Sequence, residues 1–390
     1  MTEEPIKPSE QPGAYAGPAL LSHGFRPFFL GAGLLAAAAL PLWLATYLGL
    51  VAVPGLGDPL RWHMHEMLFG YLGAALAGFL LTAIPNWTGR PPIAGAGLAA
   101  LFALWVAGRL AMLVAAETLP AALLAGAFPV VLAVVAWREV IAGGNRRNLP
   151  VCLLVSSLAV AQVVFLFGHE GLGTRLGFAT AVVLLLLIGG RITPSFTRNW
   201  LKQRGAAEGP AAFDLVDKLA LAAGLVAALS WIVAPDHRNT GLAFALAAAL
   251  NLWRLGRWRG AATTPEPLLL ALHVAYAWLP VAFALFALAI LAPGLATPQQ
   301  AMHALGAGAI GQMTLAVMTR ASLGHAGRPL RADAATSAAY LFVLLGAAAR
   351  VAAEWSPEPL LFVQLGAALW TAGFVVFVVR YAPILCTART

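Results

Sequence analysis

The chain has 390 residues, of which 61% are hydrophobic and 10% charged, and a net charge of +8. Soluble globular proteins carry about 25% charged residues, so the composition excludes a water-soluble enzyme and predicts an all-α, polytopic membrane bundle. The basic excess does not point to nucleic acid, because Lys and Arg fall in short loops at the ends of apolar runs, the pattern that sets membrane topology.

Residues 1–25 read as a polar N-terminal tail with no removable signal peptide. Apolar windows long enough to cross about 30 Å of hydrocarbon follow at 28–50, 62–84, 93–115, 120–141, 150–168, 173–192, 215–234, 240–256, 268–292, 298–319, 333–353 and 358–380. Twelve membrane helices are therefore expected, the shortest at 240–256. With both termini in the cytoplasm, all Lys and Arg except Arg61, Arg109, Arg175, Arg238 and Arg350 lie on the inner side. Cys152 and Cys386 give no disulfide framework, and the absence of a C-x-x-C-H run means that any haem is held without covalent attachment.

Short echoes recur every four spans. Thr88-Gly89-Arg90-Pro91 follows span 2, Ala326-Gly327-Arg328-Pro329 follows span 10, and Gly190-Arg191-Ile192-Thr193-Pro194 closes span 6. A single transmembrane domain of three four-helix units, 26–148, 149–262 and 263–385, is the expectation.

The chemistry concentrates in eight histidines. Trp62-His63-Met64-His65-Glu66-Met67 opens span 2, and ionisable groups at the edge of a span are costly enough to default to function. Residues two apart on a helix point about 200° apart, so His63 and His65 serve different sides of a regular helix. His303 opens span 10 at a similar outer depth. Small residues, Gly70 and Gly73 on span 2 and Gly306 and Ala307 on span 10, suggest room for a flat macrocycle. His63 or His65 with His303 could hold haem b axially, with Arg109 and Arg350 facing its propionates. Three roles are open to Glu66: orienting His63, relaying protons, or pairing with Arg61.

A second, inner site would draw on His23, His273 and His325 for another haem or for copper, with Arg26 and Arg320 beside it. His303 and His325 are 22 residues apart, about 33 Å if helical, so the inner and outer sites are distinct. His169, near the outer end of span 6, is a further candidate metal ligand; His237 reads as a surface residue.

Gly24-Phe25-Arg26-Pro27-Phe28-Phe29, Trp62-His63-Met64-His65-Glu66-Met67, Gly78-Phe79-Leu80-Leu81-Thr82-Ala83-Ile84-Pro85-Asn86-Trp87-Thr88-Gly89 and Met318-Thr319-Arg320-Ala321-Ser322-Leu323-Gly324-His325 together resemble the NnrS family. The resemblance implies a bacterial inner-membrane protein with haem and copper, linked to denitrification and to resistance to nitric oxide and nitrosative stress. More loosely, the twelve helices with histidines on spans 2 and 10 are similar to the arrangement of haem-copper oxidases and nitric oxide reductases, although no His-Pro-Glu copper motif occurs.

The expected function is thus a haem protein that binds and reduces or detoxifies nitric oxide, a reductase-like oxidoreductase fed by quinol or another electron donor. The alternative is a twelve-helix transporter or a metal- or haem-handling protein without redox turnover.

Overall fold

Helix after helix is started by a polar cap or a proline at the first helical position and continued by an apolar run. The computed structural model describes residues 15–389 and contains twelve long helices. They are α1 (Phe25–Tyr47), α2 (Pro59–Thr88), α3 (Gly95–Val114), α4 (Leu119–Ala142), α5 (Leu149–Leu166), α6 (Glu170–Gln203), α7 (Leu215–Val233), α8 (Arg238–Gly256), α9 (Pro267–Leu291), α10 (Pro298–His325), α11 (Ala334–Ala352) and α12 (Pro359–Cys386). No named strand occurs among the described residues. Residues 1–14 of the expected polar tail lie outside them.

Eleven of the twelve helices are long and apolar enough to cross a membrane, which makes this a multi-pass membrane protein. The twelfth is α8, the helix over the shortest expected window. In α8, Asn251 and Arg254 are buried, and they turn toward α7 and α9. Arg254 Nε donates to Asp217 at 2.8 Å, its Nη1 donates to Tyr276 Oη at 2.8 Å, and Tyr276 Oη donates to Asn251. The polarity that dilutes the apolar run is thus used inside the bundle rather than shown to lipid.

Three helices form the centre. α2, α6 and α10 have 30, 34 and 28 residues, and 83%, 61% and 67% of their most apolar stretches are buried, against 50% or less for every other span. Each also contains a π-helical segment, at Glu66–Tyr71, Leu185–Gly189 and Ala304–Gly311. These are the second helices of the three four-helix groups read from the sequence. A π segment widens the turn by one residue and shifts the phase of everything after it. The small-residue stripe expected along a regular span 2 is therefore broken at Glu66.

Both histidine-bearing helices begin in the same way. Asp58 caps α2 by accepting from the Leu60 and Arg61 N–H groups, with Pro59 next. Thr297 caps α10 in a reciprocal pair with Gln300, with Pro298 next. Such caps stop the helix at a defined residue, and this places His63 and His303 at matching distances below their helix starts. Gln300 also donates to the Val351 carbonyl at 3.0 Å, pinning the start of α10 to the end of α11 beside Arg350.

Candidate cofactor site

His63 and His303 face each other across α2 and α10. Their ring centres are 6.5 Å apart and their planes differ by 14°, too far for direct ring contact and nearly parallel. The His303 Nδ1 lies 2.8 Å from the Gln299 carbonyl, one helical turn back. A carbonyl only accepts, so Nδ1 carries the proton and Nε2 presents its lone pair. The His63 ring stacks on Trp43 of α1, with centres 4.4 Å apart and planes at 29°. Its Nδ1 is buried without a hydrogen-bond partner, an uncommon state for a polar atom inside a protein. Arg350 of α11 is close enough for its charge to act on both rings, and its own ion pair with Glu354 is a loose 3.6 Å. Neither histidine has a carboxylate partner. The arrangement brings two imidazoles together where both could reach one cation.

His65 belongs elsewhere. It is fully buried, with Nδ1 2.9 Å from Glu66 Oε1 and Nε2 3.0 Å from the Gln162 amide nitrogen. Both ring nitrogens are occupied by protein, so His65 is not brought to the His63–His303 pair. The reason is the 200° between alternate helical residues, which sends it toward α4 and α5. Glu66 likewise does not orient His63 and does not pair with Arg61. It accepts from Arg109 Nη1 at 3.1 and 3.2 Å, and Arg61 instead meets Glu170 of α6. Arg109 is thereby committed to Glu66, lying where any side chain larger than glycine at position 70 would clash with it. The space expected beside Gly70 is filled by protein, whereas beside Gly73 and Gly306 an added Cβ would meet only ordinary contacts, with Phe128 at 3.8 Å and Phe178 at 3.5 Å.

The inner candidates divide. His23 and His325 flank Phe25, with ring centres at 6.1 and 5.4 Å from it. Partial burial, followed by the nearby charges of Arg26, His325 and Arg389, holds His23 below the usual histidine value. His273 is not with them: its Nε2 is 2.8 Å from Thr197 Oγ1, and its ring lies against Gly260 and Trp258. Arg26 donates to the carbonyls of Ile384, Leu385 and Thr387 and so holds the end of α12. Arg320 lies over the Phe196 ring at 4.3 Å. His169 is exposed in the loop before α6, and His237 caps α8. Among the described residues, no group of three or more His, Cys, Asp or Glu comes together to hold a metal. The three-imidazole inner site is therefore not assembled, because His273 faces α6 and Trp258 while the other two sit at the end of the bundle.

Trp43, Gln162 and the Gln299 carbonyl were not singled out in the sequence. Only Gln299 had a signal, its position four residues before His303 on a capped helix.

A family model for the NnrS protein matches residues 19–389. The chain belongs to the NnrS family. The match takes in all twelve helices and both members of the facing histidine pair, so the family assignment covers the site as well as the fold. No curated protein and no solved structure matches the chain.

Proposed function

We propose that His63 and His303 are the two protein ligands of a haem b, and that this NnrS-family protein binds nitric oxide at it within the membrane. The observation carrying the reading is the near-parallel pair of imidazoles at 6.5 Å. Metal–imidazole bonds are about 2 Å, a reach that would let both rings hold one ion at this separation. Only two donors converge, which suits a metal whose other ligands come from its own macrocycle better than one needing three or four side chains. Arg350, near both rings, is the cation suited to a propionate; Arg109, spent on Glu66, is not.

When bound, haem would supply an iron for electron exchange, and nitric oxide would bind by taking the place of one of the two imidazoles. The chain's own contributions can be derived separately. The Gln299 carbonyl fixes the proton of His303 on Nδ1 and keeps Nε2 aimed at the site. Trp43 holds the plane of His63. Both histidines are half-buried, and a site at this place in a membrane protein can be reached by a small neutral gas that partitions into lipid. A quinol is the electron donor in keeping with a site inside a multi-pass membrane protein. Reduction of nitric oxide is the redox form of this reading; binding without turnover is the other. Copper has no assembled donor set in support.

Visible spectra of the purified protein test the proposal. Native protein should show a Soret band that shifts on reduction and again with nitric oxide. His63→Ala and His303→Ala should each lose most of the haem, while His65→Ala and His237→Ala keep it. Full haem occupancy in both of the first two variants overturns the assignment. Nitrous oxide formed from nitric oxide with a quinol donor distinguishes turnover from binding.

A further inference from the structure

At the end of the bundle opposite the facing histidines lies a cavity of about 1080 Å³, within the size range of ligand sites. Its charge is unbalanced. Arg147, Arg191, Arg198, Arg254 and Arg320 line it, and Asp217 is the only carboxylate among the residues around it. Asp217 is taken by Arg254 at 2.8 Å and Arg257 at 3.6 Å. Arg198 donates to the carbonyls of Pro210 and Ala211, and Arg320 lies over the face of Phe196, with the charge of Glu266 acting on it from beyond ion-pair distance. Arg147, Arg191, Arg198 and Arg320 thus border one space with no acid within ion-pairing distance among the described residues.

The floor of that space is of opposite character. Phe29, Phe79, Ile188, Ile192 and Val317 line it and also line a second cavity of about 80 Å³, whose wall is almost wholly apolar and which lies between α1, α2, α6 and α10. Arginines at a membrane edge ordinarily extend outward to lipid headgroups. Here four of them, Arg147, Arg191 and Arg198 exposed and Arg320 half-buried, border a recess that continues into an apolar slot.

We infer that this recess binds an anionic amphiphile, its charged head among Arg147, Arg191, Arg198 and Arg320 and its alkyl tail in the slot beside Phe29 and Val317. A headgroup carrying phosphate or carboxylate supplies the missing negative charge, and the tail covers apolar walls that a free inorganic anion leaves bare. The ligand is either an acidic phospholipid of the surrounding bilayer or a free fatty acid, which share this chemistry.

The full-length protein, stripped of lipid in a neutral maltoside detergent, is titrated with dioleoyl phosphatidylglycerol, dioleoyl phosphatidylcholine, oleate and inorganic phosphate, with native mass spectrometry as the readout. Phosphatidylglycerol or oleate should be retained, and whichever binds more tightly identifies the source. Arg191→Gln with Arg320→Gln should weaken that ligand about thirtyfold, from roughly a factor of five per interfacial charge. Val317→Trp, which fills the slot and leaves every arginine in place, should weaken it as well, whereas Arg238→Gln at the other end of α8 should not. Equal retention of phosphatidylcholine, displacement by inorganic phosphate at the same concentration as by the amphiphile, or unchanged binding in both the arginine pair and Val317→Trp overturns the inference. Soret absorbance of the same samples reports the histidine pair separately.

Discussion

Three consecutive polar positions on α2 do three different things, and side-chain direction alone separates them. His63 turns toward α10 and Trp43, His65 toward Gln162, and Glu66 toward Arg109. Glu66 is 1% exposed and Arg109 9%, so their pairing is that of two charges inside a membrane protein. Removing one partner of a buried pair leaves the other unpaired and costs about 3–5 kcal/mol. Glu66→Ala should therefore lower stability by that order in a detergent thermal-denaturation series, with His303 and its Gln299 contact intact. If Glu66→Ala instead keeps wild-type stability while nitric oxide turnover disappears, Glu66 acts as a proton carrier rather than a latch. The Asp217–Arg254 pair on α7 and α8 makes a contrasting case. Arg254→Met alone should destabilise by a similar amount, and Asp217→Leu combined with it should restore much of the loss, because volume-matched apolar pairs often equal buried ion pairs.

Among elements, the π segments decide what the site can be. The segment Ala304–Gly311 begins directly after His303, and Glu66–Tyr71 begins three residues after His63. Below them Tyr71 and Thr314 meet at 2.6 Å, tying α2 to α10. The widened turns thus set the rotation of the histidines relative to the helix bodies that are fixed beneath. Adding one alanine after Ala307, beyond the extra residue that the widened turns already absorb, should swing His303 about 100° and abolish haem retention while the protein still inserts and extracts as a monodisperse species. Haem retained at wild-type level in that insertion would mean that the segment does not aim the ring. This feature marks the limit of the sequence. The apolar windows disclosed the helices because the hydrocarbon thickness demands them, and His63 and His303 were legible because imidazoles at a span edge are costly. The register that brings Trp43 onto His63, or turns Arg109 onto Glu66, depends on an extra residue per turn that no pattern of apolar positions reveals.

Across the whole molecule the three π-bearing helices are central and the other nine enclose them. The facing histidines lie at one end and the arginine-lined recess at the other. The twelve-window reading captured this plan because composition and loop charge report burial in lipid. What it left out is how α8 buries Asn251 and Arg254, whose partners include Asp217 and Tyr276 on neighbouring helices, a long-range fact invisible in a local average. The inner histidines were grouped by shared depth alone, and His273 shows that depth does not fix azimuth: Thr197 and Trp258 hold it on the far side from His23.

The clasp made by Arg26 on the carbonyls that end α12 bridges 359 residues of sequence. A ribosome adding about 5–20 residues per second delivers those acceptors roughly 20–70 s after the guanidinium has emerged. Throughout that interval α1 sits in or beside the translocation machinery with a cation whose final acceptors do not yet exist. Assembly of the bundle therefore has a last event that chain elongation itself schedules, and an insertase or chaperone that shelters α1 until then would shorten the time this charge spends facing hydrocarbon.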